Sequence, residues 1–408
     1  MTSIATSTPG GSLRHPIAIA LALSLGAAIA LGISRFSYGL LLPPMREDLS
    51  WSYFLAGAMN TGNAVGYFAG ALMTPLLMRR IGAWRVLMAG SLLAAVFMLV
   101  SGWATGTTAL MLQRVLAGAA SAWVFIAGGV LAARLGSLFP KRAGFLIGLY
   151  YGGTGIGIAL SALLVPAALQ AAANHAAPHS WQWPWISLGL ACMLAAAVMA
   201  VPARRVADGL PTAASGTSQG FALRDFGFGL SGYFMFGAGY IGYMTFIVAL
   251  LRQQGMSGPQ ITGFYTALGL AVLASSRIWA RMLDRFKGGE SLAILCLVLA
   301  VVTVLPALTS ATPVVFLSGM VFGAVFLSVV ASTTALVRHN LPQAAWPAGI
   351  SAFTTIFALG QIVGPSVVGW VADGAGGLQR GLLVSAAFLL LGAVLAWRQK
   401  PLTRAAGG

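Results

Sequence analysis

Residues 16–44 read PIAIALALSLGAAIALGISRFSYGLLLPP, from Pro16 to Pro44, and the fold follows from what such a stretch requires. Its only charge is Arg35. About 20 apolar residues suffice to carry a helix through a hydrocarbon core of roughly 30 Å, and this run exceeds that. It is also longer than the roughly 7–15 apolar residues at the centre of a secretory leader. Polar residues up to Arg14 and His15 precede it, so the run reads as an uncleaved first transmembrane helix.

The same pattern recurs along the chain. Further apolar segments are expected at 52–78, 84–104, 107–133, 144–168 and 181–201, then at 225–251, 259–283, 291–310, 313–337, 346–372 and 380–397. Twelve spans result, six on each side of a Pro/Ser/Thr/Gly-containing stretch at Pro202–Gly220. Composition agrees. Of 408 residues, 58% are hydrophobic and 7% charged, where a soluble domain carries roughly 25% charged residues. So few charges cannot cover a soluble protein of this size, which excludes a soluble enzyme, a disordered chain and a coiled coil.

The net charge of +16 could suggest nucleic acid, but no basic run exceeds two residues and nearly all basic side chains sit in short connections, so no nucleic-acid partner is expected. Cys192 and Cys296 lie inside apolar stretches, and His15, His175, His179 and His339 have no metal-ligand spacing. No metal, no cofactor and no enzyme activity are expected.

The placement of basic residues orients the chain. Arg14, Arg79, Arg80, Arg85, Arg134, Lys141, Arg142, Arg204, Arg205, Arg224, Arg281, Arg285, Lys287, Arg338, Arg398, Lys400 and Arg404 fall on one side, and only Arg46, Arg252 and Arg380 on the other. Cytoplasmic loops collect Lys and Arg, so both termini are expected in the cytoplasm. The halves also match at a constant offset: Ser50 with Ser257, Gly62 with Gly269, Pro140 with Pro347, and Gly153-x3-Gly157 with Gly360-x3-Gly364. An even number of helices per repeat makes the repeats parallel, an arrangement that places a site between the halves. The expected organisation is a six-helix bundle at 1–201, a cytoplasmic linker at 202–223 and a second six-helix bundle at 224–408.

Several motifs resemble those of the major facilitator superfamily. Leu110-x3-Arg114-x3-Gly118 in the fourth span resembles its arginine motif, and Leu283-Asp284-Arg285-Phe286-Lys287-Gly288 its gating loop. The first-half copy of that loop, Leu77-Met78-Arg79-Arg80-Ile81-Gly82, has Arg79 where the superfamily usually has an acid. The fifth span is rich in glycine but lacks the Gly-Pro of the antiporter motif. The eleventh carries it, as Gly360-Gln361-Ile362-Val363-Gly364-Pro365. Arg35-Phe36-Ser37-Tyr38 through Leu42-Pro43, and Phe357-Ala358-Leu359-Gly360-Gln361 through Gly364-Pro365, resemble the YbfB/YjiJ-like branch. Arg277 is similar in placement to the eighth-span arginine of monocarboxylate transporters, and Leu49-Ser50-Trp51-Ser52 resembles their entry to span two; the span-eight acid those carriers commonly have is missing here. The resemblance implies a twelve-helix major facilitator fold in a bacterial inner membrane, acting as a monomer. It also implies gating by Asp284 and Arg285, Arg79 and Arg80, and Gly364 and Pro365.

The residues themselves narrow the cargo. Arg35, Arg114 and Arg277 fall within spans, whereas Glu47, Asp48, Asp208, Asp225, Asp284, Glu290 and Asp373 all fall at span ends or in loops. A charge at the bilayer centre costs at least roughly 2.5–3.5 kcal/mol and is normally paired or faces a cavity. An anionic substrate supplies the missing partner, because guanidinium grips carboxylate or phosphate in a bidentate fashion. A lipophilic-cation pump would instead need a membrane-embedded acid. The expectation is a transporter of a small organic anion, in particular a carboxylate, with Arg35 and Arg277 gripping it from the two halves. Arg114 would contact the anion or support Arg35, and Tyr38, Asn60, Tyr240, Tyr243 and Gln361 would form the wall. Protons as coupling ion, exchange and uniport all stay open. So does the alternative of an exporter of neutral or zwitterionic compounds.

Overall fold

A computed structural model describes residues 15–208, 222–342 and 345–402. Most of the expected linker lies outside the described residues, as do Arg14 and Arg404. Twelve long helices are present among the described residues. They are α1 (Pro16–Asp48), α2 (Tyr53–Ile81), α3 (Ala83–Ser101), α4 (Thr107–Leu138), α5 (Ala143–Asn174) and α6 (Gln182–Asp208), then α7 (Gly227–Gln253), α8 (Gly258–Ile278), α9 (Glu290–Leu308), α10 (Thr312–Asn340), α11 (Trp346–Ala372) and α12 (Gly377–Trp397). No strand occurs among the described residues.

Ten of these helices are long and apolar enough to cross a bilayer by length and composition alone. The two that fall short, α2 and α8, carry Asn60, Thr61 and Asn63, and Gln260, Thr262, Thr266 and Ser275. Both pack against the opposite half, α2 on α11 and α8 on α5. Polar residues on a helix facing another helix cost little, since they find partners there rather than lipid.

Glycines set the closest helix approaches, and the repeat read from sequence has a common structural task. A Cβ at Gly153 or Gly157 would collide with the backbone of Ser24 or Ala28 on α1; a Cβ at Gly360 or Gly364 would collide with that of Phe234 or Ala238 on α7. In both halves a four-residue glycine spacing seats the fifth helix on the first. Such small-residue faces let helix backbones approach where lipid provides no hydrophobic drive.

The eighth helix departs from expectation. It was expected to continue to residue 283; it ends at Ile278, and Ala280–Arg285 forms a separate short helix. At the break the Ser275 carbonyl, a group that a continuous helix would use itself, accepts the Ser328 hydroxyl of α10 at 3.1 Å, and the Trp279 side chain is anchored on α10 by its indole, which donates to the Ala324 carbonyl at 2.9 Å. Arg277 therefore sits in the last turn of α8.

The two faces of the molecule differ. On the face that holds His15 and Leu402, the outermost described residues, Gln399 ties three segments together. Its side chain accepts the Gly229 amide at 3.0 Å and donates to the Asp225 carbonyl at 3.0 Å, while its own carbonyl accepts the Gly289 amide at 2.8 Å. The loop 283–288 is held through its backbone, the Leu283 carbonyl by the His339 ring at 3.1 Å and the Lys287 carbonyl by Asn340 at 2.7 Å. Asp284, Arg285, Arg79 and Arg80 are all exposed.

The opposite face is sealed between the halves. The Asp373 carboxylate beyond α11 accepts the amides of Tyr53 and Phe54, at 2.7 and 2.8 Å, at the first turn of α2. There it also meets the positive end of the helix dipole. Gln253 donates to the Tyr53 hydroxyl at 2.8 Å, and Arg46 lies 3.8 Å over the Tyr53 ring. Two turns deeper, Thr61 bonds the Ile362 carbonyl at 2.8 Å and the Ser366 hydroxyl at 2.9 Å. Gly57 abuts the Pro365 carbonyl and Gly39 that of Met244, contacts that leave no room for a side chain. Nearby, Asp48 accepts Trp181 at 2.6 Å and His179 at 2.7 Å.

The seal is testable. Cys192 and Cys296 are buried, so a cysteine introduced as Ser366→Cys reports alone. It should react slowly with a hydrophilic maleimide, and adding Asp373→Ala should accelerate the reaction about tenfold or more, because each hydrogen bond to a charged group contributes roughly 1.5–3 kcal/mol. An unchanged rate would mean Asp373 does not hold this face shut.

Candidate functional site

Arg35 is set in the one irregular stretch of α1. Ala28–Phe36 is π-helical, flanked by α-helix on both sides. A π-segment is a local defect of the kind that recurs at functional sites. Gly32 within it abuts the backbone of Thr154 and Gly157 on α5, which fixes the segment against the glycine face described above.

The two arginines of the first half are treated in opposite ways. Both are buried, Arg35 to 2% exposure and Arg114 to 3%. Arg114 is fully engaged: it donates to the Ser34 carbonyl at 2.9 Å, to Asn60 Oδ1 at 2.9 Å and more weakly to the Met59 carbonyl at 3.4 Å, and it lies 4.7 Å over the Tyr38 ring. Asn60 in turn donates to Thr245 Oγ1 at 2.7 Å, so the network runs from α4 through α2 to α7. Asn63 donates to the Arg114 carbonyl at 3.1 Å, and the Tyr38 hydroxyl to that of Ala56 at 2.8 Å. Arg114, Tyr38 and Asn60 thus make a polar post that joins helices; Arg114 was expected to contact the anion or support Arg35, and Tyr38 and Asn60 to line the wall.

Arg35 is left open. Its guanidinium lies 5.6 Å over the Tyr67 ring, while Nε and Nη2 are buried without a hydrogen-bond partner. Those two nitrogens form one edge of the guanidinium, the edge that takes two oxygens of a carboxylate or phosphate side by side. A buried donor with no partner costs about 1–3 kcal/mol, more when charged. This edge is the largest unmet polar demand in the middle of the bundle.

An aromatic wall stands beside it. Phe36, the next residue on α1, meets Phe326 of α10 edge-on at 5.8 Å, and Phe326 stacks on Tyr240 of α7 at 5.9 Å. Tyr240 and Tyr233 stack with Phe236 and with Phe357 of α11 at 4.9–5.6 Å. Gln361 donates to the Tyr240 hydroxyl at 2.7 Å. Tyr67 lies within electrostatic reach of Arg35 and of Tyr240. Of the residues expected from sequence, Arg35, Tyr240 and Gln361 come together.

Tyr243 and Arg277 do not join them. Tyr243 is turned into the last six helices, bonding Ser318 at 2.9 Å and stacking on Phe322 at 4.1 Å. Arg277 is exposed, 5.0 Å over the Phe145 ring near the start of α5. By helical rise it lies roughly 28 Å from the sealed face, against roughly 20 Å for Arg35. The two residues therefore stand at different depths along their helices, and their guanidiniums rest on different rings, Tyr67 and Phe145, where the expectation had both gripping one anion. Sequence reasoning missed Tyr67 beside Arg35, and Phe326 and Phe357 in the aromatic wall. Tyr67 stands seven residues after Asn60, on the same helix face, and that spacing was the available signal.

The contrast between the arginines predicts opposite stability changes. Arg114→Gln should lower detergent-state stability by about 3 kcal/mol, because it leaves buried acceptors unpaired. Arg35→Gln should leave the unliganded protein equally stable or more so, since it removes an unpaired buried charge. Thermal unfolding of both variants measures this, and equal losses would contradict the assignment.

Comparison with known proteins agrees with this architecture. Residues 27–397 match the family described as "Uncharacterised MFS-type transporter YbfB". Two proteins of Agrobacterium vitis, each described as "Putative tartrate transporter", are 25% and 24% identical; the matches cover 89% of this chain and 85% and 88% of theirs. Among solved structures, a bacterial homolog of the human lysosomal transporter Spinster, inward-facing and unoccupied, superposes with a TM-score of 0.71 at 16% identity, over 95% of this chain and 97% of that one. The nucleoside transporter NupG gives 0.66 at 14% identity, over 95% and 100%. FucP in its outward conformation gives 0.59 at 17%, over 93% and 97%. These likenesses carry the fold. With the match spanning nearly all twelve helices, the chain is a multi-pass membrane transporter of the major facilitator superfamily and belongs to its YbfB family.

Proposed function

We propose that the protein carries a small organic anion, held by one carboxylate group, across the bacterial inner membrane by alternating access. The observation that supports this most directly is the unpartnered Nε and Nη2 edge of Arg35, buried midway along α1 with no carboxylate bonded to it. Two anion oxygens on that edge would satisfy both donors and neutralise the charge in one step. The carboxylate cargo named for the Agrobacterium vitis relatives points the same way.

The asymmetry of basic residues supports a cytoplasmic location for the face that holds His15 and Leu402. On that orientation the seal around Asp373 closes the periplasmic side, and the conformation faces inward. Asp284, Arg285, Arg79 and Arg80 are then the free halves of a cytoplasmic closure, made only when the opposite seal opens. Gly364 and Pro365 take part on the periplasmic side, through α7 and Gly57 respectively. Arg277 sits toward the cytoplasmic mouth, where its charge gathers anions from solution. Anion binding at Arg35 removes the positive charge between the halves and lets them rock about the Arg114–Asn60–Thr245 link.

The test uses acetate, benzoate, succinate and L-tartrate against the purified protein, read by thermal stabilisation and by uptake of labelled compound into liposomes. At least one should bind, and Arg35→Gln should weaken it tenfold or more, the loss of one charge-assisted hydrogen bond of about 1.5–3 kcal/mol or of two. Arg277→Gln should slow uptake at low ionic strength and leave equilibrium binding within about twofold. Full transport by Arg35→Gln would overturn the proposal. Loss of binding in Arg277→Gln would restore a grip shared by both halves.

A further inference from the structure

The surroundings of Arg35 say more about the cargo than its charge. This argument rests on the anion-carrier reading above. Among the described residues, the open guanidinium edge has about it the Arg35 charge itself, the hydrogen-bonded Gln361–Tyr240 pair, the Tyr67 phenol and a broad aromatic surface. The guanidinium of Arg114 is already engaged, by Ser34, Asn60 and Met59. Arg277 lies at a different depth and in the other half. A second carboxylate on the cargo would thus enter the site without a cation to meet it, at the cost of desolvating a charge. Cargo hydroxyls would still find neutral partners, since the Tyr240 hydroxyl accepts the Gln361 amide and keeps its own proton to donate, so the discrimination rests on the lone cation and the aromatic surface.

The apolar part of the site is flat. Tyr233, Phe236, Tyr240 and Phe357 stack with interplanar angles of 13–19°. Tyr67 presents its face to the guanidinium from the first half. When the halves part, a planar body attached to the carboxylate would slide between Tyr67 and this stack, replacing ring-on-ring contacts with contacts of the same kind. An aliphatic or hydroxylated body would not.

We infer that the cargo is a singly charged carboxylate with a planar, apolar body, and that Tyr67 and the Tyr240–Phe357 pair select it. The site thereby departs from the hydroxylated dicarboxylate named for the relatives.

The experiment ranks benzoate against acetate, succinate and L-tartrate, in the native protein and in Tyr67→Leu, Tyr67→Phe and Arg35→Gln. Benzoate should bind at least about tenfold more tightly than either dicarboxylate. Tyr67→Leu should weaken benzoate about fivefold while leaving acetate unchanged, as expected for loss of one aromatic contact. Tyr67→Phe keeps the ring and should keep the preference, which separates selection from a folding defect. If succinate or L-tartrate binds as tightly as benzoate and Arg35→Gln abolishes that binding, the planar monocarboxylate is refuted and the anion carrier stands. If none of the four anions stabilises the native protein or enters liposomes, the anion reading fails, and this inference with it.

Discussion

A guanidinium held in the middle of a membrane-spanning bundle keeps its charge and must be neutralised or solvated by something. No carboxylate is bonded to Arg35 or Arg114 among the described residues, so the protein has two options, and it uses both. Arg114 is wrapped in backbone carbonyls and the Asn60 side chain, and its charge is turned into a joint between α4, α2 and α7. Arg35 has only the Tyr67 ring beneath it. The rest of the architecture depends on this division: one arginine links the two halves through Asn60 and Thr245, and the other keeps two buried donors without a partner.

The seal opposite His15 and Leu402 shows how the halves are held without burying salt bridges. Asp373 reaches across from the end of α11 to two free amides at the start of α2, groups that every helix leaves unbonded. The glycines at positions 39, 57 and 369 then let backbone pack against backbone. Contacts of this type are directional and short-ranged. They hold firmly when the helix ends meet and vanish with a small rotation, which suits an interface that must open. The loop at 283–288 follows a complementary logic, with its backbone fixed and its charged side chains free.

Much was legible from the chain alone, because each feature rested on one-dimensional signals. Apolar runs of sufficient length gave the helices, and the glycine spacing shared by Gly153, Gly157, Gly360 and Gly364 pointed to matched packing in both halves. The absence of acids from the spans singled out Arg35, Arg114 and Arg277 as unusual. The end of α8 at Ile278 was not legible, because the sequence around Ser275 and Trp279 carries no proline or glycine to mark it. There the Ser275 carbonyl and the Trp279 indole bond α10 instead.

The sequence by itself determined the membrane-spanning, all-helical class, the twofold repeat and the scarcity of negative charge within the spans, since hydropathy and composition act locally and need no neighbours. Only the tertiary structure decided which arginine is satisfied and which is open. That distinction depends on where the carbonyls of Ser34 and Met59 and the amide of Asn60 fall in space around Arg114, and no spacing along one chain encodes it. The same holds for Tyr67 and Asp373. Each acts on a helix far away in sequence, and each acquires its role only when the two halves are brought face to face.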